Sequence, residues 1–195
     1  MKTNDSQQRP LRSQATRDRI LQAARFIFGR DGYDHATIRA IAAEAKITAA
    51  MVMRYYGNKE SLFAAATHYG VNPDAFASVP TSRLGEALVR YMVDAWENPD
   101  TGPTRRAVLL TALSNEAVRA KYLYQLQRQY VTAILKHVSP TKRAQEAIAL
   151  MRTQILGMMM TRYILRVPTM TAIPRETLIR EVGRVLQGYI RLASA

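Results

Sequence analysis

Three features of the 195-residue sequence predict an all-α fold. Apolar residues recur at three- and four-residue spacing in one segment after another. No strand-like alternation interrupts them, and Gly, Pro and Asn cluster between the periodic stretches. The longest lapse, residues 70–80 with Asn72-Pro73 and Val79-Pro80, predicts a boundary region between two helical parts of about nine helices in all.

Residues 1–12, MKTNDSQQRPLR, are polar, basic and broken by Pro10, and are expected as a flexible arm whose Arg9 and Arg12 could follow a polyanion. Ser13 or Thr16 opens the first helix, with Ile20, Leu21, Ala24, Ile27 and Phe28 as its apolar stripe and Gly32 as its stop. A short helix follows, in which Thr37 is the N-cap and Ile38, Ile41, Ala42 and Ala45 share one side. Lys46-Ile47 breaks the pattern, and Thr48 caps a second short helix, Ala49 to Tyr55. Val52 faces inward there, while Ala49, Ala50, Met51, Arg54 and Tyr55 stay outside. Two short helices at a tight turn are a helix-turn-helix, and an outer side that is small, aromatic and basic suits the major groove of DNA. Gly57 turns the chain, Asn58 caps the next helix, and Leu62, Phe63, Ala66 and Tyr69 continue its buried side.

Beyond residue 80, Thr81 or Ser82 caps a helix carrying Leu84, Leu88, Tyr91, Met92, Ala95 and Trp96, which ends at Asn98-Pro99 and Gly102-Pro103. Residues 104–114 form another, and 115–137 a longer one through Val118, Tyr122, Leu126, Tyr130, Ile134 and Leu135. Ser139-Pro140 marks the start of a helix running to Arg166 that is apolar nearly all round, so neighbours are expected on more than one side. Pro168 and Pro174 bracket a loop before a last helix over 175–192. We expect the Ile148, Met151, Ile155 and Met159 side of the one and the Val182, Val185, Tyr189 and Leu192 stripe of the other to build a dimer interface. Gly157 and Gly183 would permit close approach there.

The net charge of +13 makes an acidic polymer a plausible partner. It is not concentrated: residues 1–60 hold 11 Lys or Arg and 6 Asp or Glu, and residues 61–195 hold 17 and 9. The motif, not the charge, carries the nucleic-acid reading. Absence of cysteine excludes disulfides and thiolate metal sites, and His35, His68 and His137 lack metal-ligand spacing. No nucleophile elbow, phosphate-binding glycine loop or other catalytic or cofactor motif occurs. The N-terminus has no signal-peptide core and no run approaches the ~20 apolar residues of a membrane span, so a cytoplasmic protein is expected.

The block TRDRILQAARFIFGRDGYDHATIRAIAAEAKITAAMVMRYYGNKESLF resembles the TetR family of bacterial transcriptional regulators over about residues 14–66, down to Tyr55-Tyr56-Gly57-Asn58-Lys59-Glu60. Beyond residue 70 only helix number and spacing agree. The resemblance implies a homodimeric, ligand-responsive regulator, a repressor by preference, on a near-palindromic double-stranded operator. Residues 13–57 would form the DNA-binding domain. Residues 58–195 would form the effector-binding and dimerisation domain, joined through helix 58–69. By position, Thr37 and Tyr55 would hold phosphates, Lys59 would approach the backbone, and Thr48, Ala49, Ala50, Met51 and Arg54 would lie at or near base edges. The family commonly has Gly where Lys46 stands. Lys46 either accepts a left-handed backbone or uses another turn, and its ammonium is then a phosphate ligand.

Plainer readings stand beside these. Tyr56 is the better candidate of the tyrosine pair for the core. Tyr91, Met92, Trp96, Tyr122 and Met158, with Arg162 beside them, either line an effector pocket or fill a bundle core, since apolar stripes need no ligand. Arg90 and Arg162 would favour an anionic or polar-headed effector. The basic side of the last helix fits a membrane surface or a solvated rim, and the charge alone would fit an architectural protein coating DNA.

Overall fold

The computed structural model describes residues 8–67, 73–120, 122–124 and 140–194. All described elements are helical, in the order α1 (Gln8–His35), α2 (Ile38–Glu44), α3 (Ala49–Tyr56), α4 (Lys59–Ala66), 3-10 turns Pro73–Phe76 and Thr81–Arg83, α5 (Leu84–Glu97) and α6 (Gly102–Ser114). Helical residues 116–120 and 122–124 (α7) follow. The chain closes with α8 (Lys142–Met159), a π-helical turn Met160–Ile164, α9 (Pro168–Thr171) and α10 (Arg175–Ser194). Because α1 begins at Gln8, residues 8–12 are helical rather than part of a flexible arm. Residues 1–7, together with Tyr69, Leu126, Tyr130, Ile134, Leu135 and Ser139, lie outside the described residues.

The chain forms two compact units, residues 1–69 with 99–121, and residues 70–98 with 122–195. This partition differs from a cut at residue 57. In the first unit α1 is the central element, packed by α2, α4 and α6. Its Ile20, Ala24, Ile27 and Phe28 are buried with Ile41, Val52, Leu62 and Phe63. Phe28, Tyr33 and Phe63 form an aromatic cluster, with the Phe63 ring centroid 4.8 Å from each of the other two. Helix α6 is joined to α1 by the Thr104 hydroxyl, which donates to the Arg25 carbonyl at 2.8 Å. A Cβ on Gly29 would stand 2.9 Å from Pro103 Cβ.

In the second unit α10 packs against both α5 and α8. The buried sides are Leu84, Leu88, Met92 and Trp96 on α5, Ile148, Met151, Ile155 and Met159 on α8, and Leu178, Ile179, Leu186 and Ile190 on α10. The α5–α10 crossing is close: a Cβ on Gly85 would lie 2.3 Å from the Gly183 carbonyl oxygen. Thr141, not Ser139, caps α8, its hydroxyl oxygen accepting from Ala144 N at 3.1 Å. That helix also ends earlier than its apolar pattern suggests. Leu165 N donates to Met160 O at 2.8 Å, closing the wide turn, and Arg166 takes φ 51.

Two interface expectations are corrected here. Ile148, Met151, Ile155 and Met159 are buried in their own unit, at most 7% exposed. The outward apolar side of α8 is instead Leu150 and Leu156, near an open Gly157. Gly183 does permit close approach, but to Glu86 of α5 in the same unit. The α10 stripe is the part that faces outward, with Val185 and Leu192 exposed and Val182 and Tyr189 half-buried.

Candidate nucleic-acid interface

Each short helix of residues 37–66 starts on a side-chain cap. Thr37 Oγ1 accepts from Ala40 N at 3.1 Å, Thr48 Oγ1 from Met51 N at 3.3 Å, and Asn58 Oδ1 from Ser61 N at 2.7 Å. These bonds satisfy amides that a helix of seven or eight residues would otherwise leave open. Thr37 and Thr48 are exposed, and each keeps its O–H to donate.

The turn between α2 and α3 settles the backbone of Lys46. Its φ is 54, left-handed without glycine. Lys46 N donates to Ala43 O at 3.1 Å and Ile47 N to Ala42 O at 3.0 Å, the paired bonds of a Schellman ending. Two carbonyl acceptors are thus satisfied in return for strain of about 1–2 kcal/mol. The Lys46 side chain is exposed beside Thr48 at the entrance of α3.

On α3 only Val52 is buried. Ala50 and Arg54 are exposed, and Ala49, Met51 and Tyr55 half-buried, so the residues expected at base edges occupy the outward side of one helix. Tyr55 and Tyr56 divide differently from a simple core-and-surface split, both being half-buried against α1. Tyr56 donates its hydroxyl to Arg17 O at 3.4 Å, and burial raises its pKa. The Tyr55 hydroxyl is lowered from its ordinary value, chiefly by a hydrogen bond from Ser13, against desolvation and with smaller help from Thr16 and Arg54.

Lys59 is half-buried at the first turn of α4, where the macrodipole disfavours a cation. Its ammonium lies 4.6 Å from the Tyr33 ring centroid and donates to Asp34 O at 3.2 Å. The Tyr33 hydroxyl donates to Glu60 Oε1 at 2.9 Å, and its pKa is pushed up to about 12 by burial and then by Glu60. The start of α4 is thereby tied to the end of α1.

The residues missed by sequence reasoning are Ser13, Thr16 and Arg17. A signal for them existed: they continue, one and two turns upstream, the side of α1 that carries Ile20 and Ala24. The proposed effector residues lie in the second unit. Met92, Trp96 and Met158 are buried, and Tyr91 and Tyr122 half-buried. Arg162 is already engaged, donating to Met170 O at 2.7 Å and Ile173 O at 3.0 Å, with Glu97 3.7 Å away. Arg90 pairs with both oxygens of Glu176 at 2.7 and 2.9 Å. The preference for an anionic effector therefore loses its basis.

Among the described residues no group of three or more His, Asp or Glu could hold a metal ion, and no helix is long and apolar enough to cross a membrane.

Comparison with known proteins agrees with this arrangement. Residues 20–66 match the bacterial regulatory proteins of the tetR family, and residues 82–190 match the tetracyclin repressor-like C-terminal domain. The HTH-type transcriptional repressor SCO4008 of Streptomyces coelicolor is 47% identical over 51 residues. That match covers 26% of this chain and 27% of the repressor, so the chain spans about a quarter of the length of this curated relative. The TetR-family regulator SCO0857 of Streptomyces coelicolor A3 superposes with a TM-score of 0.66 at 26% identity, covering 98% of this chain and 99% of that one. NalD of Pseudomonas aeruginosa, the secondary repressor of the MexAB-OprM multidrug efflux pump, shares the fold at 20% identity and a TM-score of 0.60, over 89% of this chain and 96% of its own. With a capped helix-turn-helix in front and the C-terminal domain match spanning more than half of its length, the chain belongs to the TetR family of transcriptional regulators.

Proposed function

We propose that the protein is a homodimeric repressor that reads a near-palindromic operator and is released from it by a small-molecule effector. The observation that carries the DNA reading is the outward side of α3, where Ala50 and Arg54 are exposed between a capped start at Thr48 and a glycine end at Gly57. Small residues let the helix axis approach the groove floor, and Arg reads guanine with two parallel hydrogen bonds. Thr37, Lys46, Tyr55 and Lys59 flank that side as candidate phosphate ligands.

Dimerisation is supported by the uncovered stripe Val182, Val185, Tyr189 and Leu192 on α10, joined by Leu150 and Leu156 on α8. Such a surface fits a two-fold bundle of four helices. Effector response is the family's usual property. Tyr91, Met92, Trp96, Tyr122 and Met158 are the candidate residues for holding a mainly apolar compound. A regulator of the same fold answering to a protein partner, or constitutively bound, is the second reading.

Selecting bound fragments from genomic DNA with the purified protein tests the proposal. Recovery of one shared, two-fold motif is expected, with affinity at least ~10³ above scrambled DNA at physiological salt. Equal recovery of all fragments would reject operator reading in favour of a DNA-coating role. Compounds that raise thermal stability should then weaken operator affinity ~5–150-fold. Stabilising compounds that leave it unchanged would favour the partner-controlled alternative.

A further inference from the structure

Tyr55 stands between two cations from different helices. The guanidinium carbon of Arg54, its neighbour on α3, is 5.7 Å from the Tyr55 ring centroid, and that of Arg17, on α1, is 5.9 Å from the same centroid. Both arginines are exposed. Among the described residues neither has a carboxylate within salt-bridge distance. Two like charges around one ring repel each other, and only the weak attraction of the ring offsets this, at roughly 0.5–1 kcal/mol for each exposed pair. A pair left in this state at a DNA-facing seam lacks an anion.

The hydroxyl of Tyr55 has a different engagement. It lies near Ser13 and Thr16 on the first described turns of α1, with Arg54 beside it. Arg17 lies one turn further along the same side of α1, and its carbonyl accepts from Tyr56. The α1–α3 seam therefore presents a phenol ring with a guanidinium from each helix within 6 Å of its centroid.

We propose that Arg17 is a phosphate ligand of the DNA-bound protein and that Tyr55 is a positioning residue, acting through its ring instead of through a hydroxyl–phosphate bond. The ring orients Arg54 toward the groove and Arg17 toward the flanking backbone, so that one aromatic side chain sets the spacing between the base-reading cation and the backbone-holding one. This inference rests on the DNA-binding reading above and deepens it. It adds Arg17 to the contacting residues and changes the part that Tyr55 plays.

The test measures affinity against salt concentration, for the selected operator and for a scrambled duplex of equal length, with the full chain carrying Arg17→Gln, Arg17→Lys, Tyr55→Phe or Tyr55→Leu. Arg17→Gln should lower the slope of log K against log salt by about 0.9 for each chain bound, on both duplexes, without altering base preference. Arg17→Lys should restore the slope. Tyr55→Phe keeps the ring and should bind within a few-fold of wild type, whereas Tyr55→Leu should lose both slope and base preference with no more than a modest drop in Tm. An unchanged slope in Arg17→Gln overturns the proposal. So does a loss in Tyr55→Phe as large as that in Tyr55→Leu, which would return the phosphate contact to the hydroxyl. Because the scrambled duplex reports backbone contacts on its own, a wild-type protein with no operator preference would defeat the repressor reading while still measuring the Arg17 contact.

Discussion

Gln187 on α10 bridges to Gly85 on α5: its Oε1 accepts from Gly85 N at 3.0 Å, and its Nε2 donates to Thr81 O at 2.9 Å. One side-chain amide satisfies an open amide at the start of α5 and the turn before it, at the point where the two backbones are nearest. Gln187→Leu should cost about 1–3 kcal/mol by stranding a buried amide. Gly85→Ala should cost at least as much, because its Cβ meets the Gly183 carbonyl, which is backbone and cannot swing away. Denaturant unfolding of both variants checks this. A Gly85→Ala protein as stable as wild type would show that the crossing is looser than described.

Tyr33 should make stability fall on the alkaline side. Its folded pKa of about 12 lies above the unfolded phenol value of about 10, so the neutral form is favoured in the fold. Its contribution is fully present below about pH 10 and is lost as pH rises toward about 12. Urea midpoints of wild type and Tyr33→Phe at about pH 9 and about pH 11.5 should show the steeper decline in wild type. Parallel declines would refute the assignment.

Lys46→Gly should stabilise the protein. Glycine removes the left-handed strain of about 1–2 kcal/mol and loses about 0.4–1 kcal/mol through the freer unfolded chain. The net gain, between about 0 and about 1.6 kcal/mol, corresponds to a rise of at most roughly 3–6 °C in Tm for a chain of this size. DNA affinity should nevertheless fall if the ammonium holds a phosphate, and calorimetry with a binding titration separates the two effects.

Arg54→Ala should relax preference at one base pair of each half-site, at about 1–3 kcal/mol, whereas Lys59→Ala should weaken all sequences alike and reduce the salt slope by about one ion. Lys59→Ala also gives up the contacts to Tyr33 and Asp34, so a modest drop in Tm should accompany it. A uniform loss in Arg54→Ala with intact base preference would remove Arg54 from the reading residues.

Val185→Glu places a carboxylate in the middle of the outward α10 stripe and, at a two-fold contact, does so twice. Analytical ultracentrifugation should find monomers. A folded dimer with an unchanged dissociation constant would place the interface elsewhere. Leu150→Glu is the companion test for the revised side of α8.

What was legible in the sequence is what local chemistry decides. Thr37, Thr48 and Asn58 cap the helices they precede because a short polar side chain before an apolar run has few other uses, and Gly57 adopts positive φ where α3 stops, whereas Gly32, also at positive φ, kinks α1 and helical residues run on to His35. Periodicity marks an apolar side but not its occupant. Helix α10 carries two adjoining apolar stripes, one covered by its own chain and one not, and on α8 the richer stripe turned out to be the covered one. Arg162 and Arg90 looked available because their partners, the carbonyls near residue 170 and Glu176, are distant or brought close only by packing. The docking of α6 on α1 left no trace in spacing at all, since it depends on steric fit between Gly29 and Pro103.

That docking governs how the protein can be taken apart. The chain leaves the first unit after residue 69, builds part of the second, and returns at residue 99 to lay α6 along α1 before leaving again. A headpiece severed after the helix-turn-helix would thus be an incomplete fold, with the α6 side of its central helix stripped bare. Grafting this reading head onto another protein would require two discontinuous stretches of chain, and a ribosome making it must emit more than a hundred residues before the first unit can close.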